Sequence, residues 1–383
     1  MIPAVASIGL LLAETVVWTA EADTQFRSRS EPAAHEASGE VEARGLFGLA
    51  AEGSEGRAAL NWSPQVLLRE GLYGSPLDTR NSTQQNGRLE LRERLAPVTF
   101  LTSRTSLDWG LTDLSPLSAQ RAPTLGVVLP SIPFVRTLGI NSQLELSHAF
   151  SRRLQLSASL GVQRSGGVGH DAVQVVPFQA GPQASASLAW AADRNNSLSL
   201  LAAGSETRFF SFRRTSILSS LQAGWKTRAT REISLDALAG VAWVRSADAE
   251  SVSKGVYFSG AAGAVLELPV GAQRIVRGSL RTVILPAVDG FTGLGTETLR
   301  FDASTSFSAG SLDMTVSASR GRVVRGPYAG ASDLRLEARC EWAASRAWSA
   351  EGGASATQTN QLPFVGWQSL LFVRFRWNAT GSI

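Results

Sequence analysis

Residues 141–167, NSQLELSHAFSRRLQLSASLGVQRSGG, alternate apolar with polar side chains along two segments that a short turn separates. The apolar set is Leu144, Leu146, His148 and Phe150 before the turn and Leu154, Leu156, Ala158, Leu160 and Val162 after it. Successive side chains of a β-strand point to opposite faces, so this period of two predicts a hairpin with one apolar face. What that face contacts decides the fold.

The composition excludes several classes of protein. With 44% hydrophobic and 18% charged residues among 383, the chain is not of the disordered type. Beyond the N-terminus, no apolar run approaches the roughly 20 residues that a membrane-spanning helix needs. The single cysteine, Cys340, excludes an intrachain disulfide. The 36 basic and 32 acidic residues form no basic stripe, so nucleic acid is not a predicted partner.

The alternation of the opening hairpin recurs along the whole chain and predicts about eighteen strands, or sixteen if the weak N-terminal pair lies outside a closed sheet. Short turns within the pairs alternate with longer polar links between them, including Thr112–Gly139, Gly204–Arg213, Ser246–Lys254, Ala287–Thr296 and Thr357–Pro363. Short turns at one end and long loops at the other are typical of outer-membrane barrels. The sequence therefore predicts an all-β, transmembrane, antiparallel up-and-down barrel.

Residues 1–13 resemble the apolar core of a secretory signal, which we expect to be cut near Ala13. The alternative is an apolar first strand. Residues 14–383 are predicted to form a single outer-membrane β-barrel.

A soluble β-sandwich would also have strands with one apolar face, and its polar face would simply be hydrated. Three features favour lipid as the solvent of the apolar face. The segments of about 9–12 residues suit a tilted membrane strand. All ten tryptophans share the apolar parity. Except for Trp62, they lie near strand ends and form a predicted aromatic girdle: Trp18, Trp109, Trp190, Trp225, Trp243, Trp342, Trp348, Trp367 and Trp377.

The third feature is charge on the opposite parity, deep within the strands. These residues are the predicted pore lining: Arg44, Arg69, Glu90, Arg92, Arg104, Asp108, Glu145, Asp236, Glu267, Arg277, Arg281, Arg300, Asp302, Asp313, Arg335, Glu337, Arg339 and Arg374. Because the lining mixes both signs with Ser, Gln and Asn, we expect no strong ion selectivity and a preference for neutral or weakly charged hydrophilic cargo.

The closing strand SLLFVRFRW (residues 369–377) ends on alternating aromatics, and with the repeated hairpins it resembles bacterial outer-membrane β-barrel proteins. The tail Asn378–Ile383 departs from that pattern, in which the last aromatic is terminal. The resemblance implies an outer-membrane location, contact with membrane lipid and insertion by the assembly machinery. In strand number and hairpin style the chain also resembles polysaccharide-export barrels, which implies a periplasmic export partner.

No set of side chains predicts catalysis, a metal site or a cofactor. The histidines are His35, His148 and His170, and only His170, beside Asp171 and near Ser165, could form part of a hydrolytic triad. We interpret this histidine as a solvated loop residue and predict that the chain is not an enzyme. The apolar segment within Thr112–Gly139 is expected either to fold inward as a constriction or to pack on the barrel rim.

The predicted function is a conduit for hydrophilic cargo, with polysaccharide export through a periplasmic partner as the leading hypothesis. The alternatives are a general porin for small solutes and a structural or adhesive surface barrel.

Overall fold

A computed structural model describes residues 15–31, 36–72, 80–113, 134–271, 274–361 and 364–382. The predicted signal remnant, residues 1–13, lies outside the described residues. The described chain forms eighteen strands in one antiparallel sheet: β1 Thr15–Glu31, β2 Glu36–Glu52, β3 Gly56–Leu72, β4 Arg80–Ala96, β5 Thr99–Asp113, β6 Phe134–Ala149, β7 Leu154–Gly167, β8 Gln179–Ala191, β9 Asn196–Phe209, β10 Arg214–Arg228, β11 Ile233–Ala247, β12 Val252–Pro269, β13 Arg274–Val288, β14 Gly295–Ala309, β15 Leu312–Arg325, β16 Ser332–Ala343, β17 Trp348–Gln361 and β18 Phe364–Ser382.

The sheet closes on itself because β1 pairs with β2 on one side and with β18 on the other. All other strands pair with their neighbours in sequence, which is an up-and-down barrel. In hydrocarbon no water can hydrogen-bond a free backbone N–H or C=O, so a sheet can cross a bilayer only when it has no open edge. The count of eighteen strands is confirmed, and the N-terminal pair belongs to the closed wall.

The outer surface carries the apolar parity that the sequence predicts. Leu144, Leu160 and Val162 are 47%, 67% and 58% exposed, whereas Ser159 on the other parity is only 9% exposed. Trp367 and Trp377 lie ten residues apart on β18. At about 3.3 Å per residue and a tilt of about 40°, they bracket roughly 25 Å, the height of the apolar band of an outer-membrane barrel. The apolar face is therefore a lipid-facing wall.

The strands run from 12 residues in β16 to 19 in β18, longer than the 9–12 that the pattern indicated. They extend at the ends where long links were expected, so that only residues 210–213 connect β9 to β10 and only residues 248–251 connect β11 to β12. Polar residues can continue a ladder of backbone hydrogen bonds beyond the bilayer, where alternation is no longer required. The tail after Trp377 likewise stays in β18, where Ser382 pairs with Val17.

A six-residue helix, α1 (His170–Val175), lies in the connection from β7 to β8, where the sequence indicated only a loop. Among the described residues, no helix has the length and apolarity that crossing a membrane requires.

The depth of each outward residue decides how strongly a charge would destabilise the barrel. Leu154 pairs with Trp190 of the girdle, so Leu156 lies only about 5 Å from that level and Leu160 about 15 Å. Leu160→Arg is expected to lower the free energy of unfolding by about 2–4 kcal/mol, the cost of Arg near the bilayer midplane. Leu156→Arg should lower the free energy of unfolding by less, and the inward Ser157→Arg should leave it nearly unchanged.

Urea titration of the three variants folded into lipid vesicles measures this order. An equal loss of unfolding free energy in Leu160→Arg and Ser157→Arg would contradict a lipid-facing wall.

Candidate functional site

The inner face of the barrel is the candidate functional site. The structure places every predicted lining residue whose side chain it describes on the inward parity, opposite to the exposed apolar residues. The side chain of Arg69 lies outside the described residues. The nine tryptophans of the predicted girdle all point outward; Trp377 is half-buried and the others are at least 39% exposed. The roles of these residues in transport and membrane anchoring stay predictions.

Ion pairs connect many of the inward charges across neighbouring strands. On β16, the Glu337 carboxylate lies 2.7 Å from Arg335 Nη2 and 2.9 Å from Arg339 Nε. Glu351 of β17 continues the row, with oxygens 3.8 Å from Arg339 Nη1 and 3.6 Å from Arg374 Nη1. We call this row, with its end member Asp23, the charge ladder: Arg335, Glu337, Arg339, Glu351, Arg374 and Asp23.

The charge ladder ends at the seam where the barrel closes. Arg374 of β18 donates from Nε to Asp23 Oδ2 of β1 over 2.7 Å, and its Nη2 bonds the same oxygen. Asp23 is only 6% exposed. This ionic pair joins the first and last strands on the lumen side, and Arg376 Nε adds a second ion pair across the seam, 3.2 Å from Glu21 Oε1.

A second row of charges crosses β4, β5 and β6. Arg104 Nη1 donates to Glu145 Oε2 over 2.8 Å, and Arg104 Nε lies 3.5 Å from Glu90 Oε2.

The other predicted lining residues lie outside these two rows. Arg277 pairs with Glu267 at 2.6 Å, and Arg300 with Asp302 at 2.8 Å. Arg44 contacts Glu42 and Gln65, while the guanidinium of Arg92 lies 4.3 Å from the centre of the Phe100 ring. Asp108, Asp236, Arg281 and Asp313 occupy inward positions of β5, β11, β13 and β15.

The sequence reasoning missed several charged partners. Asp23, Glu351 and Glu341 share the inward parity of their strands but were not assigned to the lining. Parity alone would have selected them. Because opposite charges meet side by side, their fields largely cancel in the lumen.

The wall from β7 to β10 is chemically different. Its inward positions carry mainly Ser, Gln, Gly, Ala and Leu. Among the described inward positions from Gln155 to Gly224, only Arg214 at the mouth is charged, and Lys226 follows at the opposite end of β10. Ser159 and Ser185 are joined through their hydroxyls at 2.8 Å, and Gln183 Nε2 donates to Asn141 Oδ1 over 3.2 Å. The rows of paired charges and this largely neutral wall therefore occupy different sectors of the lumen.

A short loop between β13 and β14 bends into the mouth of the barrel. The carbonyl oxygen of Gly293 accepts hydrogen bonds from Ser216 Oγ (2.5 Å) and Ser246 Oγ (2.7 Å), which are inward residues of β10 and β11. These two serines are 0% and 2% exposed, so the loop covers them from the lumen side. We call residues 289–294 the inner loop. The sequence indicated an ordinary external link here, Ala287–Thr296, and the structure corrects that expectation.

The conformation of the inner loop follows from its first residue and its glycine. Asp289 Oδ1 accepts from the backbone N–H groups of Phe291 (3.1 Å) and Thr292 (2.7 Å), which closes a tight turn. Gly293 has a φ of 66°, and a Cβ at this position would meet the ring of Phe209 at 3.0 Å. Glycine is thus required both for the backbone angle and for the close approach to the wall.

Arg214 fastens the inner loop from the side. Its guanidinium donates to the Thr292 carbonyl oxygen and to the carboxylate of Asp248. The hydrogen bond from Arg214, followed by those from the backbone N–H groups of Glu250 and Ser251, lowers the pKa of Asp248 well below its ordinary value. Asp248 therefore stays ionised and holds Arg214 against the loop.

The other predicted constriction, Thr112–Gly139, falls mainly on residues 114–133, which lie outside the described residues. Of the histidines, His35 is also outside them. The side chain of His148 lies on the outer face with Nδ1 2.8 Å from Thr99 Oγ1, and His170 begins α1. Within the described part of the chain, no group of three or more His, Cys, Asp and Glu side chains is arranged for a metal ion.

Comparison with known proteins gives one sequence match and several structural ones. The model of the EpsX exopolysaccharide export family matches residues 10–257. OccAB4 of Acinetobacter baumannii is similar in structure, with a TM-score of 0.52, 8% identity and coverage of 96% of this chain and 99% of that one. OccK1 (OpdK) of Pseudomonas aeruginosa has a TM-score of 0.50 at 11% identity, covering 97% and 100%.

The outer membrane protein OprD of Pseudomonas aeruginosa scores 0.46 at 10% identity and covers 97% of both chains. No curated protein matches the sequence. OccAB4 and OccK1, with TM-scores of 0.52 and 0.50, show the fold, which is that of an outer-membrane β-barrel.

Release of the inner loop should widen the channel. The double variant Ser216→Ala, Ser246→Ala removes both hydroxyl donors to Gly293, each worth about 0.5–1.5 kcal/mol. We expect a larger single-channel conductance in planar bilayers than for the unmodified protein. Ser234→Ala, an inward serine at the other end of β11, is the matched control. Identical conductance of all three proteins would show that the loop does not limit the opening.

The inner loop should not respond to mild acid. A carboxylate whose pKa is lowered on folding contributes stability that is fully present above its ordinary pKa of about 4. That contribution is lost only as the pH falls through the lowered pKa. The conductance is therefore expected to stay constant between pH 8 and pH 5. A reversible opening within that window would contradict the Arg214–Asp248 contact as the fastener.

Proposed function

The chain belongs to the EpsX exopolysaccharide export family, and we propose that its barrel passes polysaccharide across the outer membrane together with a periplasmic export protein. The observation that carries this proposal is the wall of β7–β10, which faces the lumen of an eighteen-stranded barrel and is uncharged between Arg214 at the mouth and Lys226 at the other end of β10. Barrels of this size can enclose an aqueous channel.

The lining suits a long hydrophilic chain better than a single small ion. Hydroxyl and amide groups exchange hydrogen bonds with sugar hydroxyls as readily as with water, so a sliding glycan keeps its polar groups satisfied at each step. The charge ladder on the other side is internally paired, as in the contact of Arg374 with Asp23. It therefore presents polarity without a strong net attraction that would hold a passing chain.

The partner belongs to the same proposal because an open channel does not by itself set the direction in which a polysaccharide moves. The short turns at one end of the barrel, such as residues 150–153 and 229–232, are the periplasmic face in the usual orientation of such barrels. A periplasmic protein that delivers the polysaccharide would contact this end.

The test is deletion of the coding region followed by complementation. Cells without the chain should lose surface polysaccharide, measured by lectin or dye binding, and accumulate it in the periplasm. The unmodified chain should restore the surface signal. A deletion strain with normal surface polysaccharide but reduced uptake of small solutes would instead identify a general porin.

A further inference from the structure

A pocket of about 320 Å³ opens in the lumen wall across β6–β10. Its polar lining consists of Gln143, Ser159, Gln183, Ser185, Ser205 and Ser220. Ala203 and Leu218 add small apolar surfaces, and no charged residue contributes to the lining. The volume lies at the lower end of the range of about 300–1,000 Å³ for small-molecule sites.

The polar groups of the pocket are fixed by neighbours on the same wall. The hydroxyls of Ser159 and Ser185 hold each other at 2.8 Å, and Gln183 is anchored by its bond to Asn141. A side-chain amide has two N–H donors and an oxygen with two lone pairs, so Gln183 retains further capacity beyond that bond. Side chains held in this way present donors and acceptors in fixed positions.

This chemistry distinguishes neutral sugars from charged ones. A sugar ring offers hydroxyls that both donate and accept, together with C–H surfaces that can contact Leu218 and Ala203. A carboxylate or sulfate group in the pocket would lose hydration without meeting an opposite charge in the lining, which is unfavourable. Arg104, the cross-strand neighbour of Gln143, is already paired with Glu145 and Glu90. An uncharged sugar unit therefore fits this lining better than a charged one.

The position of the pocket connects it to the inner loop. Leu218 is the next inward residue on β10 after Ser216, whose hydroxyl holds Gly293. A sugar unit in the pocket would thus lie beside the narrowed mouth, at the point where a chain in transit is confined.

We propose that this pocket is a saccharide subsite that binds uncharged sugar units of the polysaccharide during export. The inference rests on the proposed function and adds to it a place and a ligand class. Because the subsite holds only a short stretch of the glycan, binding is expected to be weak enough for release at each step.

The test uses the purified full-length barrel in lipid nanodiscs and neutral hexasaccharides of glucose, xylose and mannose (maltohexaose, xylohexaose and mannohexaose), with binding measured by calorimetry. At least one should bind. The double variant Gln143→Leu, Gln183→Leu keeps most of the side-chain volume but removes both amides, and it should weaken binding at least tenfold. Gln155→Leu is the matched control, since Gln155 is an inward glutamine of β7 outside the pocket.

A hyaluronan hexasaccharide, which carries carboxylates, should bind at least tenfold more weakly than the best neutral probe. The subsite is overturned if no neutral hexasaccharide binds, if the control weakens binding as much as the double variant, or if hyaluronan binds equally well.

Complementation separates this failure from failure of the export function. If the double variant restores surface polysaccharide as fast as the unmodified chain and binds sugar equally, the export function is supported and the subsite is contradicted. If the deletion strain keeps its surface polysaccharide, the export function is contradicted, whatever the calorimetry shows.

Discussion

The structure depends on one constraint: in hydrocarbon, every backbone N–H and C=O must find a partner within the protein. A flat sheet of eighteen strands would leave two open edges, and the pairing of β1 with β18 removes both. On the lumen side the same seam is joined by Arg374 and Asp23. Closure also creates the interior, because residues that alternate with the lipid-facing ones have nowhere to point except into an enclosed and hydrated space.

That interior is divided into sectors, and the division gives the barrel its proposed role. The charge ladder and the row from Glu90 to Glu145 pair opposite charges across strands, which limits the field that a solute meets. Between Arg214 and Lys226 the wall of β7–β10 offers hydroxyls, amides and small apolar side chains. The inner loop brings Gly293 down onto the adjoining positions of β10 and β11. A neutral glycan is the cargo that all three features accommodate.

The lipid-facing wall could be predicted from the sequence, but the contacts inside the lumen could not. Period-two alternation is local, so the two faces, the strand count and the outward tryptophans could be predicted without knowing any partner. The inner loop could not, because DGFTGL resembles an ordinary turn and its contacts reach Ser216, 77 residues away along the chain. The lengths of strands beyond the bilayer were also hidden, since alternation ceases to be required there. Pairings such as Arg374 with Asp23, 351 residues apart, depend on closure itself.

The most direct measurement of the central claim is the accessibility of cysteines on β7 to a charged, membrane-impermeant thiol reagent. The only native cysteine, Cys340, lies on the outward parity of β16, so Cys340→Ser gives a clean background. In that background, Ser157→Cys and Gln163→Cys are expected to react from the aqueous lumen, while Leu156→Cys and Leu160→Cys are expected to stay unmodified in lipid. Equal reaction at all four positions would contradict a barrel whose alternate residues face lipid and a water-filled interior.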